Sequence, residues 1–292
     1  MAGSSPRRLS SVRPPLPEAE INEYLRQRLR DYNDRDVASI ARHIDVLRKA
    51  LESEFDELVR PLFGGSVGRH TYVDGLSDID VLMVIEGSAL SEQSPSDALQ
   101  RMARSIRERL PSTTVSVGSM AVTIQYSDRH EVQVLPSIKS RTGIRIPMPG
   151  GAGWSRILHP ERFARKLTNV NQSNGGRVVP TIKLVKTLAR RSVQSDRGRL
   201  SGYHIESLAI DAFQSYQGPR DLQSMLRRFL THAASAVLQP IRDSTGQSRF
   251  VDGYLGSAGS TERRRAAENL RRMRRSLDAC RSHRDLDNLF RQ

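Results

Sequence analysis

Two kinds of hydrophobic spacing run along the chain, and the switch between them divides it. Val37, Ile40, Ile44, Leu47 and Leu51 recur at spacings of three and four, the signature of one helical face, within a pattern that turns helical from about Glu18. Leu58–Phe63 and the apolar run that ends at Ile85 have strand length, as do Thr113–Val117, Met120–Tyr126 and Glu131–Leu135, which Gly118 and Ser127–Asp128 separate. Between them, Pro95-Ser96-Asp97 opens a helix through Arg109; Leu99, Met102, Ile106 and Leu110 share a face and Pro111 stops it. Past Pro160 the pattern is almost wholly helical, over 160–171, 179–192, 203–216, 219–238 and 261–283. The expected fold is α+β: a mixed sheet with helices over residues 18–155 and a helical lobe over 156–292. Residues 1–17, rich in Ser, Pro and Arg, read as a disordered tail. Residues 139–154, rich in Gly and Pro, read as a loop or irregular hairpin.

Composition narrows the partners. The 292 residues carry a formal net charge of +14, with arginine concentrated in Arg263-Arg264-Arg265 and again over 271–275. Such a balance suits polyanions, either nucleic acid along the Arg-rich C-terminal helix or nucleoside triphosphates, and equally a solvated helix face. Aromatic residues make up 5% of the chain and none interleave with these arginines, so no stacking platform for single strands is visible. The single cysteine, Cys280, excludes an internal disulfide and a cysteine-based zinc site. No apolar run reaches the roughly 20 residues of a membrane span, and the N-terminus lacks a signal-peptide core. A soluble, cytoplasmic protein without a membrane partner is expected.

Candidate chemistry concentrates in one stretch. Gly64-Gly65-Ser66-Val67-Gly68-Arg69-His70-Thr71 follows a strand-like run, so that backbone N–H groups and the Ser66 hydroxyl can face an anion. Ser77-Asp78-Ile79-Asp80 then leads into the apolar run, and period-two alternation sends Asp78 and Asp80 to one face. Two carboxylates on one face suit a divalent cation such as Mg²⁺, which prefers oxygen ligands, and two such ions can activate a hydroxyl and stabilise a pyrophosphate leaving group. Further on, Lys183 and Lys186 lie one turn apart on an amphipathic helix, where two ammonium groups can hold a triphosphate or simply face water.

Gly65-Ser66, then Arg69 and Thr71, then Ser77-Asp78-Ile79-Asp80 running into a strand, resembles the nucleotidyltransferase signature of the polymerase-β superfamily. The resemblance is to the branch of oligoadenylate synthase, cyclic GMP-AMP synthase and their bacterial relatives, the CD-NTases, and spans residues 40–280. It implies a polymerase-β-like catalytic lobe and a helical lobe, Mg²⁺ (or Mn²⁺) at Asp78 and Asp80, and triphosphate held by Gly65, Ser66, Arg69, Lys183 and Lys186. Leu200-Ser201-Gly202-Tyr203 resembles the family segment in which a Ser-Tyr pair opens a helix, the hydroxyl touching phosphate and the ring stacking on a base. Tyr203 matches the ring; Gly202 stands where the serine would, so either Ser201 or the Gly202 N–H takes that contact. Val251–Gly256 and Thr261–Arg265 also look like the C-terminal part of bacterial oligonucleotide synthases. The chain departs from the pattern at the third carboxylate, whose position is held by Gln133. A glutamine cannot accept the proton of an attacking hydroxyl, and Glu131, two residues earlier on the same face, is the expected third catalytic and metal-binding acid. The activity implied is template-independent joining of nucleoside triphosphates into a cyclic di- or oligonucleotide messenger of anti-phage (CBASS) signalling. The alternatives are a nucleotidyltransferase acting on tRNA ends or on a protein, and a nucleic-acid-binding protein whose catalytic motif has decayed.

Overall fold

The computed structural model describes residues 14–33, 37–73, 79–87, 90–128, 130–148, 150, 152–191, 198–243 and 250–290. Asp78 and most of the expected N-terminal tail lie outside them.

The elements run α1 (Glu18–Asn33), α2 (Val37–Phe55), β1 (Leu58–Phe63), the single turn α3 (Gly65–Gly68), β2 (Ile79–Glu86), α4 (Pro95–Arg109), β3 (Thr114–Val117), β4 (Val122–Gln125), β5 (Glu131–Lys139) and β6 (Ile144–Arg145). Helices α5 (Pro160–Ser173), α6 (Val178–Arg191), α7 (Gly202–Phe213), α8 (Leu222–Ala236), α9 (Thr261–Asp278) and α10 (His283–Phe290) follow. This is the α+β architecture read from the hydrophobic pattern. The sheet has the order β1-β2-β5-β4-β3, with β6 against β5. Only the β2–β5 pair is parallel among the described strands, and it sets Asp80 directly beside Gln133.

Alternation along β2 divides the sheet into two faces. Ile79, Val81, Met83 and Ile85 join Val132 and Val134 of β5 in a core with Ile40, Ile44, Leu47 and Leu51 of α2 and Leu99, Met102 and Ile106 of α4. Asp80, Leu82 and Val84 point the other way, where Leu82 and Val84 pack with Ile144, Ile146 and Leu158 from the segment after β5. Ser94 caps α4 by accepting from the Asp97 N–H at 3.1 Å, with Pro95 in the first turn where its missing N–H costs nothing.

A second core joins α5 to α10, and the buried side of α1 (Ile21, Leu25, Leu29, Tyr32) lies in it. The helix expected over 261–283 is two helices: α9 ends at Asp278, and Ser282 starts α10 by accepting from the Asp285 N–H at 3.2 Å. In α9, Arg263, Ala266, Ala267, Leu270, Met273 and Leu277 form the buried stripe. Arg263 is therefore no surface cation. It is 0% exposed, donates to Asp252 Oδ2 at 2.7 Å and to the carbonyls of Val237, Gln239 and Gly256 at 2.9, 3.1 and 3.0 Å, and so ties the end of α8 to the Gly253–Leu255 turn. The exposed arginines of α9 are laced with acids, Arg275 with Glu268 at 2.5 Å and Arg274 with Asp278 at 3.5 Å.

Arg263→Ala should lower unfolding stability by about 3–5 kcal/mol, because Asp252 is left as an uncompensated buried charge. Arg263→Lys should recover only part of it, since an ammonium cannot reproduce the guanidinium fork. Urea unfolding midpoints at constant slope measure both.

Candidate active site

The site is built where β1 ends. Gly64 N–H donates to the Asp80 carbonyl at 2.9 Å, extending the β1–β2 ladder by one bond before the chain turns into α3. Gly65 has φ +46°, and a Cβ there would fall 1.7 Å from Asp80 Oδ2. Glycine is thus required twice, for the left-handed backbone and for the space the Asp80 carboxylate occupies. Ser66 is buried in the turn, and its carbonyl accepts from the Thr71 N–H at 2.9 Å, which folds the segment back on itself.

Behind this turn lies a buried charge cluster. Glu206 of α7 is 0% exposed; its Oε2 accepts from Arg69 Nε at 2.5 Å, and its Oε1 accepts from Lys186 Nζ at 2.9 Å and from the Thr71 hydroxyl. Lys186 Nζ also donates to the Thr71 carbonyl at 3.1 Å and to Thr71 Oγ1 at 3.0 Å, so all three of its N–H groups have protein partners. Burial pushes the Lys186 ammonium below its usual range, against the pull of Glu206. Arg69 packs over the rings of Phe163 and Tyr203, 5.4 and 5.6 Å from their centroids. The Tyr203 ring leans on Phe163 at 4.6 Å, and its hydroxyl donates to Asp243 Oδ1 at 2.9 Å.

Two cavities meet here. One, of about 360 Å³, is lined by Ser66, Lys186, Arg190, Arg199, Gly202 and Glu206. The other, of about 620 Å³, is mostly apolar, with Leu82, Met120, Leu135, Ile144, Ile146, Leu158 and Phe163 in its wall. Gly65, Arg69, Asp80 and Tyr203 line both. A cationic compartment and an apolar one thus open on either side of a single carboxylate.

Gly65, Ser66, Arg69, Asp80, Lys186 and Tyr203 come together around this junction. Lys183 does not join them: its ammonium is bonded to Asn33 Oδ1 at the end of α1. Ser201 is the N-cap of α7, its hydroxyl accepting from the His204 N–H at 3.2 Å, while Gly202 lines the cationic cavity. Of the acids, Gln133 occupies the register position beside Asp80, and its Nε2 donates to Glu131 Oε1 at 3.4 Å. Register and alternation put Gln133 and Glu131 on Asp80's face of the sheet, but of the three Asp80 alone lines the cavities; together they are an oxygen-rich donor set of the kind that fits a hard divalent cation.

Arg190, Arg199 and Glu206 are pocket residues that motif reading passes over. Arg190 has a signal, four residues after Lys186 and so on the same helix face. Glu206 has none, because its partners Arg69 and Thr71 are more than a hundred residues away in sequence.

Residues 20–171 match the model of the Second Messenger Oligonucleotide or Dinucleotide Synthetase domain. No curated protein matches the sequence significantly. Among solved structures, the fold is similar to the Bradyrhizobium diazoefficiens CD-NTase CdnG in complex with GTP (17% identity, 87% of this chain and 89% of that one, TM-score 0.69). It is similar to E. coli MS115-1 CdnC with ATP (17% identity, 95% and 92% covered, TM-score 0.65). A third similar structure is Vibrio cholerae DncV cyclic AMP-GMP synthase with the linear intermediate 5′ pppA(3′,5′)pG (13% identity, 95% and 92% covered, TM-score 0.62).

Glu206→Gln should cost about 3–5 kcal/mol in urea unfolding, since Arg69 and Lys186 then face each other without a counter-charge. Adding Lys186→Met should return part of that loss, giving a double variant less destabilised than the sum of the singles. Strict additivity would show that the three groups do not act as one cluster.

Proposed function

Since the chain belongs to the second-messenger oligonucleotide or dinucleotide synthetase family and is a nucleotidyltransferase of the CD-NTase type, we propose that it joins nucleoside triphosphates into a cyclic di- or oligonucleotide without a template. The observation that carries this reading is the junction of a cationic and an apolar cavity at Asp80. One compartment suits the triphosphate of a donor nucleotide, the other the base and sugar of an acceptor, and Asp80 stands between them.

Members of this family are metal-dependent. Asp80 and Glu131, together with Asp78, are the proposed holders of the cation, which we take to be Mg²⁺ with Mn²⁺ as a substitute. When bound there it supplies the charge that eases deprotonation of the attacking hydroxyl and neutralises the departing pyrophosphate. The chain's own groups do the positioning. The backbone of Gly65 and the Ser66 hydroxyl cradle phosphate at the mouth of α3. Arg69, Arg190 and Arg199 supply positive charge to the cationic compartment. Lys186 acts one step removed: its three donors hold Thr71 and Glu206, and these fix the cradle and Arg69. Tyr203, braced by Phe163 and Asp243, offers a ring face to a base. Gly202 lines the cationic compartment while the Ser201 hydroxyl is engaged in capping α7, so the phosphate contact at this helix start is assigned to the Gly202 backbone N–H.

Glu131 is the proposed third acid, and the Gln133 amide, which donates to it, is its positioning partner. No helix among the described residues is long and apolar enough to cross a membrane. We place the activity in the cytoplasm, with ATP or another nucleoside triphosphate as substrate and anti-phage (CBASS) signalling as its setting.

Pure protein incubated with each labelled triphosphate and Mg²⁺ should form an oligonucleotide, and Asp80→Asn should abolish it while leaving thermal unfolding unchanged. Glu131→Gln should lower the rate by about 10²–10⁴-fold, as for loss of a general base, whereas Gln133→Ala should stay within about tenfold of the parent, one lost hydrogen bond. Full activity in Glu131→Gln would defeat the assignment of Glu131, and loss only in Gln133→Ala would point to an unconventional metal site. Tyr203→Ala should weaken nucleotide binding by about 1–3 kcal/mol, read by calorimetric titration, if its ring stacks on a base.

A further inference from the structure

The face of the sheet opposite Asp80 carries a second set of ligand-type side chains. His43 on α2, Asp128 in the turn between β4 and β5, and His130 just before β5 each offer one atom, and these atoms lie within 4.8 Å of one another. His43 Nε2 is 2.7 Å from Asp128 Oδ2, and His130 Nδ1 is 3.1 Å from the same oxygen. Ligands about 2.0–2.1 Å from a tetrahedral zinc ion stand roughly 3.3 Å apart, so the three atoms, grouped around Asp128 Oδ2, reach one ion with small side-chain shifts.

The surroundings hold each ligand in place. The His43 ring stacks on Tyr126 with centroids 3.7 Å apart, one helical turn from Ile40 and Leu47 in the core. Asp128 Oδ1 accepts from the His130 backbone N–H at 3.1 Å, which turns Oδ2 toward the two imidazoles. His130 Nδ1 is buried and makes no properly directed hydrogen bond, although Asp128 is close. A ring nitrogen shut off from water and unsatisfied by its neighbour is in the state that coordination resolves. Asp128 keeps 37% of its side-chain surface in contact with solvent, which leaves an entry path and room for a water as fourth ligand.

We propose that His43, Asp128 and His130 form a Zn²⁺ site that ties α2 to the start of β5. Two imidazoles and one carboxylate favour a late first-row divalent ion over Mg²⁺, which takes oxygen ligands. The site is separate from the catalytic junction: Tyr126 and Val132 face the α2 core, whereas Asp80 lines the cavities on the opposite side of the sheet. Glu131 is the next residue after His130, so the ion fixes the beginning of the strand that carries it. The assignment stands on geometry independent of the proposed activity.

The full-length protein, stripped with chelator and titrated calorimetrically with Zn²⁺ in excess Mg²⁺, should bind one equivalent at micromolar or tighter Kd. Its unfolding midpoint should rise by about 4–5 °C at a hundredfold excess over Kd. His43→Phe keeps the stack on Tyr126 but removes the nitrogens, and Asp128→Asn keeps the hydrogen-bonding shape. Both should weaken Zn²⁺ binding at least a hundredfold with unchanged circular dichroism, while Asp80→Asn retains it. Absence of stoichiometric Zn²⁺ binding by the parent protein, or affinity unchanged from the parent in His43→Phe and Asp128→Asn, overturns the site; loss of Zn²⁺ in Asp80→Asn would place the ion at the catalytic junction instead.

Discussion

Glu206 is the group on which the site's geometry depends. A carboxylate with no exposed surface is tolerable only if its charge is met, and here it is met from two directions, by Arg69 behind the cradle and by Lys186 on α6. The first partner belongs to the sheet-bearing half of the chain and the other two groups to the helical half. The cluster therefore joins the two halves at the point where the cavities open. Its desolvation cost is offset by hydrogen bonds on nearly every polar atom: Thr71 contributes both hydroxyl and carbonyl, and Lys186 uses all three donors. A lysine so engaged holds Thr71 and Glu206 in fixed relation to the turn at Gly65.

From this cluster outward the cavities acquire opposite character for physical reasons. The cationic side is walled by α6 and α7, whose facing residues are Lys186, Arg190, Gly202 and Glu206. The apolar side is walled by the outer face of β2 and by the segment that returns over it through Ile144, Ile146 and Leu158. Strand alternation puts Asp80 at the edge of that apolar face, and Gly65 gives its carboxylate space that any Cβ would take. Low dielectric on one side and concentrated positive charge on the other are what a reaction that moves charge onto pyrophosphate needs.

Local rules account for what the sequence made legible. The strands, the start of α4 and the helical second half follow from periodicity and Pro95, and the turn after β1 from its glycines. What could not be read depends on contacts far apart in the chain. Glu206 looks like one more residue on a helix until Arg69 and Thr71 are brought to it. Arg263 looks like part of a basic surface, yet the three- and four-residue spacing from Ala266 and Leu270 turns it inward, where six protein acceptors absorb its donors. The break between α9 and α10 was missed because the cap at Ser282 interrupts an otherwise continuous amphipathic pattern. Cysteine counting was blind to the imidazole cluster, whose members come from residues 43, 128 and 130.

The same alternation that separates the cavities from the α2 core also separates two kinds of donor group. Asp80, Gln133 and Glu131 present oxygen on one face; His43 and His130 present nitrogen on the other, with Asp128 between them. A one-residue slip of β5 would exchange the faces, burying Glu131 against Tyr126 and turning Val132 toward Asp80. The parallel pairing of Asp80 with Gln133 and the antiparallel pairing of Gln125 with Glu131 hold the register from both sides. An ion bound at His130 would hold it from a third direction, at the residue before Glu131. Placing glutamine rather than a carboxylate beside Asp80 then has a physical consequence: it removes one negative charge from the position paired with Asp80 and leaves Glu131, two residues earlier on the same face, as the nearest acid of β5.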